Sequence, residues 1–263
     1  VEIVSKGDYG SILMDIKSAT IMFIAPTKRN DPVFYTHQWA TNAIRMTKSL
    51  GYKVIELHGD NVTYRNVNAA IEKYKPRLFV AFSHGCPPSI NGQNECAIAR
   101  KFSVDELMTM EPVKLDRLLN PVKLSGCGKD ICQLQNNVCQ PLCSNPTNIN
   151  SLKDSIVYAV SCHTAEILGK CAIQYGVQSY VGYNDLLLFP VDQMRSQDMF
   201  GQIHLEFLRY LLTGYSVGEA NEAMKRMEDT YIRLYRQTKW VALPALWNAL
   251  HREVLGDPTA TIY

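Results

Sequence analysis

Residues 77–83 read RLFVAFS and run straight into His84-Gly85, and residues 155–161 read SIVYAVS and run straight into Cys162. Both are short apolar runs rich in β-branched and aromatic residues and bounded by breakers, which predicts two strands that end on chemically capable side chains. Three further runs have the same character: residues 20–26 (TIMFIAP), closed by proline, residues 53–58 (KVIELH), closed by Gly59, and residues 179–183 (SYVGY). Helical periodicity fills the gaps, at 37–50 before Gly51, at 61–75 with Asn61 as cap and Pro76 beyond, and at 164–175 before Gly176. Strand and helix thus alternate with short connections. Parallel strands need crossover helices, so the expected class is α/β, with a mostly parallel sheet and helices on both faces.

The rest of the chain is read around that sheet. Ser103-x-x-Glu106 is a capping box that opens a helical stretch toward Asn120. After Asp192 the pattern is helical to Leu212, and a second box, Ser216-x-x-Glu219, opens a long helix toward Trp240. Residues 120–154, rich in Cys, Asn, Pro and Gly, hold no periodic stretch and read as a Cys-rich insertion in one domain spanning 1–263. With 263 residues, 46% of them hydrophobic, the chain can bury a full core without metals or disulfides. Its 27 basic and 25 acidic residues are interspersed, which gives no electrostatic footprint for nucleic acid. No apolar run approaches the roughly 18 residues of a membrane span. A soluble globular protein is expected, with no charged-then-apolar leader, and the start at Val1 suggests a processed form or an excised piece.

In an open parallel sheet, ligands and catalysis gather beyond the carboxyl ends of the strands. His84 and Cys162 stand there. If their strands are neighbours the two side chains emerge side by side, and an imidazole next to a thiol makes an activated nucleophile. The helix predicted to follow Cys162 would favour its thiolate through its N-terminal dipole. Gly85 leaves the adjacent N–H open to serve as an oxyanion donor. The bland alternative is a small buried cysteine at a strand end. His58-Gly59 is a rival dipeptide, but it needs the second strand beside the fourth, whereas the usual order puts it beyond the first. His163 is expected to point away from Cys162, and His37, His204 and His251 read as ordinary surface or core residues on helices. No Gly-rich phosphate loop follows the first strand, where Ala25-Pro26-Thr27-Lys28 stands, and there is no His-Glu-x-x-His pattern.

Strand-Ser-His-Gly, then strand-Ser-Cys-His-Thr-Ala, a helix and Ser-Tyr-Val-Gly resemble the caspase-like clan of cysteine peptidases. The tail, residues 255–263 (LGDPTATIY), is similar to the segment that closes the catalytic domain in the gingipain family. The resemblance implies a three-layer caspase-like fold and a cysteine endopeptidase acting on protein or peptide substrates. It makes Cys162 the nucleophile, His84 the general base or acid, and the backbone N–H groups of Gly85 and Cys162 the oxyanion hole. No third catalytic residue is identified by the matched pattern, and Glu56 and Asp60 are nearby guesses. An inactive caspase-like binding or scaffold module is the alternative, and a different hydrolase using Cys162 is another.

Two further readings stay open. Cys127, Cys132, Cys139 and Cys143 could form two disulfides, with Cys86–Cys96 a third, leaving Cys162 and Cys171 as thiols. The same four could instead ligate zinc, although their spacing lacks the usual short knuckles, or remain plain thiols. Disulfides would imply an extracellular or otherwise oxidising setting, or a hyperthermophilic source. Asp185, in Asn184-Asp185 after the fifth strand, is a candidate carboxylate for an Arg or Lys pocket, or simply a turn residue. On the pocket reading, Lys28-Arg29 would be a self-cleavage point.

Overall fold

The computed structural model describes residues 18–28, 31–101, 103, 105–106, 109–111, 147–190 and 196–263. In chain order the elements are β1 (Thr20–Ala25), α1 (Val33–Ser49), β2 (Lys53–His58), α2 (Tyr64–Tyr74), β3 (Leu78–Phe82), β4 (Gly85–Cys86), β5 (Ser89–Asn91), β6 (Cys96–Ala99), β7 (Ile156–Val160), α3 (Leu168–Gln174), β8 (Ser179–Tyr183), α4 (Ser196–Leu212), α5 (Val217–Leu234), α6 (Lys239–His251) and β9 (Arg252–Gly256). Six strands form the main sheet in the order β2-β1-β3-β7-β8-β9, and β4-β5-β6 form a small second one. The first four pairings of the main sheet are parallel, and β9 alone runs antiparallel, against β8. This is a three-layer α/β fold.

Side-chain alternation along each strand builds the layers. Ile21, Phe23, Val80, Phe82, Tyr158 and Val160 face a core shared with α1, α4 and α5. Met22, Ile24, Phe79, Ala81, Val157 and Ala159 face another, shared with α2, α3 and the small sheet. Both faces of β1, β3 and β7 are therefore buried, which is why these strands read as unbroken apolar runs. Residues 147–154, assigned to the insertion, prove to be partly structural: Ile149–Leu152 is a 3-10 turn whose Ile149 and Leu152 enter the second core. The four clustered cysteines of the insertion lie outside the described residues.

Several expectations are corrected. α2 is capped by Thr63, whose side chain accepts from Asn66 N, because Asn61 is already used in a 3-10 turn. The long helix expected from residue 216 to Trp240 stops at Leu234, and a Thr238 N to Tyr235 O turn precedes α6. Beyond it the chain becomes β9 (REVLG), a strand too polar to announce itself. The resemblance-bearing tail has a local reason: Gly256 lies at φ +82°, where a side chain is strained, and a Cβ there would stand 2.5 Å from the Gln178 carbonyl oxygen. Both capping boxes form as read. Among the described residues, no helix is long and apolar enough to cross a membrane.

Candidate active site

Three neighbouring strands, β1, β3 and β7, deliver three side chains to one end of the sheet. Pairing of Phe82 with Val160 brings the ends of β3 and β7 level, so His84 and Cys162 leave adjacent strands. Both line one cleft of about 220 Å³. His58 ends β2 on the far side of β1, as the strand order required.

The small sheet holds His84 in place. Its carbonyl oxygen accepts from Asn91 N at 2.9 Å, and Ser83 Oγ donates to the Asn91 carbonyl. Gly85 lies directly against the backbone at Cys162: a Cβ there would come within 2.5 Å of both the Cys162 carbonyl oxygen and Thr164 Cγ2. Only glycine lets the two strand ends approach this closely. That closeness puts the backbones of the two assigned oxyanion donors side by side.

The residue that the sequence did not reveal is Asp31. Its Oδ1 lies 2.6 Å from His84 Nε2, and the same oxygen accepts from Val33 N at 2.9 Å. Burial pushes the Asp31 carboxyl up, but the hydrogen bonds from His84 and Val33, with the charges of His84 and Lys28, hold it below the usual carboxylate range. With Nε2–H donating to an anionic Asp31, Nδ1 is the ring nitrogen left for another partner. The loop bearing Asp31 is pinned to the β5–β6 connection, since Gln93 accepts from Thr27 N at 3.0 Å and donates to Thr27 O at 2.6 Å. A signal was available: Asp31-Pro32 is a helix-start pair, and α1 begins right after it at Val33, ahead of the expected start at residue 37.

The guesses for a third residue are not supported. Glu56 is occupied by Lys48 at 2.6 Å and His58 at 3.2 Å, on the edge strand β2, and Asp60 is exposed in the turn after it. His58 in turn meets His37 of α1 at 3.2 Å.

Around Cys162 the helix-dipole argument does not hold. α3 begins only at Leu168 and is seven residues long. His163 at φ +58° interrupts helical backbone, and residues 163–167 form turns. His163 is buried and paired with Glu166 at 2.6 Å, which decides between the packed and the solvent-facing reading. The Cys162 sulfur instead accepts from Leu187 N at 3.3 Å. Cys171 sits in α3 with its thiol pushed up by burial, against the opposing pull of Arg100.

Asp185 does not line the cleft. Its Oδ1 accepts from Leu186 N at 2.7 Å, its Oδ2 is 4.0 Å from His251, and its carbonyl accepts from His163 N. These contacts tie Asp185 to its own surroundings just past the end of β8. Arg29 lies outside the described residues, as do the alternative zinc ligands Cys127, Cys132, Cys139 and Cys143. Among the described residues no cluster of three or more His, Cys, Asp or Glu is arranged to hold a metal ion. Cys86 is a thiol whose sulfur accepts from Asn91 Nδ2 at 4.0 Å, so the Cys86–Cys96 bridge is not formed, although Cys96 is itself disulfide-bonded.

No protein-family model matches this sequence, and no curated protein matches it.

Proposed function

We propose that this protein is a cysteine endopeptidase of the caspase-like, gingipain-related type, with Cys162 as nucleophile, His84 as general base and acid, and Asp31 as the group that orients His84. The observation that carries the reading is the Asp31–His84 contact at 2.6 Å at the cleft that Cys162 also lines. A nucleophile and a base at two adjacent strand ends, with an orienter at the start of α1, match the logic of acyl-transfer sites.

In this reading His84 takes the thiol proton of Cys162 through Nδ1, and the sulfur attacks the substrate carbonyl carbon. The oxyanion forms against the backbone N–H groups at Gly85 and Cys162. His84 returns the proton to the amine, the C–N bond breaks, and a thioester remains on Cys162. Water then attacks, deprotonated by His84, and releases the acid and the thiol. Asp31 stabilises the imidazolium that exists between proton transfers, without taking a proton itself. These steps use no metal or cofactor, and the Cys-rich insertion remains a candidate zinc or disulfide site.

The test is cleavage of a fluorogenic peptide library by the wild-type protein, Cys162→Ala and His84→Ala. Both substitutions should abolish turnover while the unfolding transition stays cooperative. Turnover retained by Cys162→Ala overturns the proposal, and a wild type that cleaves nothing favours the inactive binding module.

A further inference from the structure

We infer that the cleft beside Cys162 selects an apolar side chain, of the size of leucine, methionine or phenylalanine, at the substrate residue preceding the scissile bond. This deepens the peptidase reading and rests on it. The cleft is lined by Leu186, Leu187, Leu188 and Phe189 and by Val33 and Thr36 of α1. At about 220 Å³ it lies below the roughly 300–1,000 Å³ typical of sites that hold whole small molecules, which suits one side chain of a larger substrate.

What the wall lacks in polar groups decides its chemistry. Its two hydroxyls are spent on their own neighbourhood: Ser83 Oγ donates to the Asn91 carbonyl, and Thr36 Oγ1 donates to the Val33 carbonyl at 3.1 Å. Among the described residues no carboxylate lines the cleft. Asp185 is turned to Leu186 N and His251, and Asp31 is committed to His84 and Val33 N. Among the described residues a guanidinium or ammonium entering here would lose its water and find no carboxylate in the cleft, whereas an apolar side chain loses only its contact with water.

The wall is also held in shape. Buried Asn248 of α6 clamps Leu188 from both sides, accepting from Leu188 N at 2.8 Å and donating to Leu188 O at 2.7 Å. Trp247 Nε1 donates to Leu186 O at 3.0 Å, and the Phe189 ring meets Trp39 edge-on at 4.9 Å. Leu187 N donates to the Cys162 sulfur, so this wall begins at the reacting atom. A preformed apolar wall next to the nucleophile reads the side chain adjacent to the bond being cut.

The experiment uses peptidyl acyloxymethyl ketones that differ only in carrying Leu, Phe, Arg or Asp next to the reactive ketone. The rate of Cys162 labelling is followed by mass spectrometry, with iodoacetamide as a probe that needs no pocket. Leu or Phe should label at least tenfold faster than Arg, equivalent to about 1.4 kcal/mol. Leu188→Asp, which leaves the backbone clamp in place, should raise the Arg-to-Leu rate ratio at least tenfold, a ratio from which any change in thiol reactivity, followed with iodoacetamide, cancels. Equal or faster labelling by the Arg or Asp probe overturns the inference while leaving the peptidase reading intact. If iodoacetamide labels Cys162 and none of the peptide probes does, the peptidase reading itself falls, and the inference with it.

Discussion

Asp31 serves two structures with one oxygen. It starts α1 by accepting from Val33 N, and it fixes His84 through Nε2. Its depressed carboxyl keeps the anion throughout the neutral range, and the contact is lost only as the pH falls through that lowered pKa. Asp31→Asn keeps the shape and a helix-capping oxygen but removes the charge and permits the wrong imidazole tautomer. The expected result is a fall in kcat of about 10²–10⁴-fold with KM nearly unchanged, measured on the best library peptide. A loss confined to KM would assign Asp31 to substrate binding instead. At this scale the sequence was half legible: His84 and Cys162 announce themselves as strand-end residues, but Asp31 sits 53 positions from its partner, and no local pattern encodes that contact.

Helix α4 shows what burial does to an element that reads as ordinary. His204, on its inner face, is fully packed, receives Tyr158 at 2.7 Å through Nδ1, and is ringed by Trp39, Phe82, Tyr158 and Tyr183. Burial, with the nearby Arg252 charge, lowers its pKa from 6.5 to about 3. The sign follows directly. Above 6.5 both folded and unfolded chains carry a neutral imidazole, and between 6.5 and 3 only the unfolded chain binds the proton. Stability therefore falls with pH across that window, by about 1.4 kcal/mol per unit. Between pH 7 and pH 5 this contributes about 2 kcal/mol of destabilisation. His204→Gln keeps a partner for Tyr158 and cannot titrate, so its urea-unfolding free energy should lose about 2 kcal/mol less than the wild type over that interval. An identical pH dependence in the two proteins would show that His204 is not the group responsible.

Across the whole molecule, the sheet is closed by an ion pair that no element contains by itself. Arg252, the first residue of β9, forms a two-pronged contact with Glu228 of α5, one prong at 2.9 Å, and reaches Asn221 of the same helix at 2.8 Å. Both charged side chains are essentially sealed, at 1% and 2% exposure. Burial pushes the Glu228 carboxyl up against the pull of Arg252. Glu228→Gln leaves the guanidinium buried without its counter-charge and should cost roughly 3–5 kcal/mol in thermal or urea unfolding. Replacing both residues by methionine should cost far less, because no uncompensated charge then remains. If the single and double variants are equally destabilised, the pair is not what fastens β9 to α5.

The chain by itself determined the parallel sheet, the positions where its strands end and the two side chains standing there. Those follow from local quantities: apolar runs of strand length, glycine and proline breakers, and helix caps written within four residues. Only the tertiary structure decided that Asp31 faces His84, that Asp185 turns away, that residues 186–189 form an apolar wall clamped by Asn248, and that the chain returns as β9 beside β8. Each of these depends on which distant groups meet once β1, β3 and β7 are neighbours. A carboxylate's role is set by the donors it reaches and the water it loses, and neither is a property of its place in the sequence.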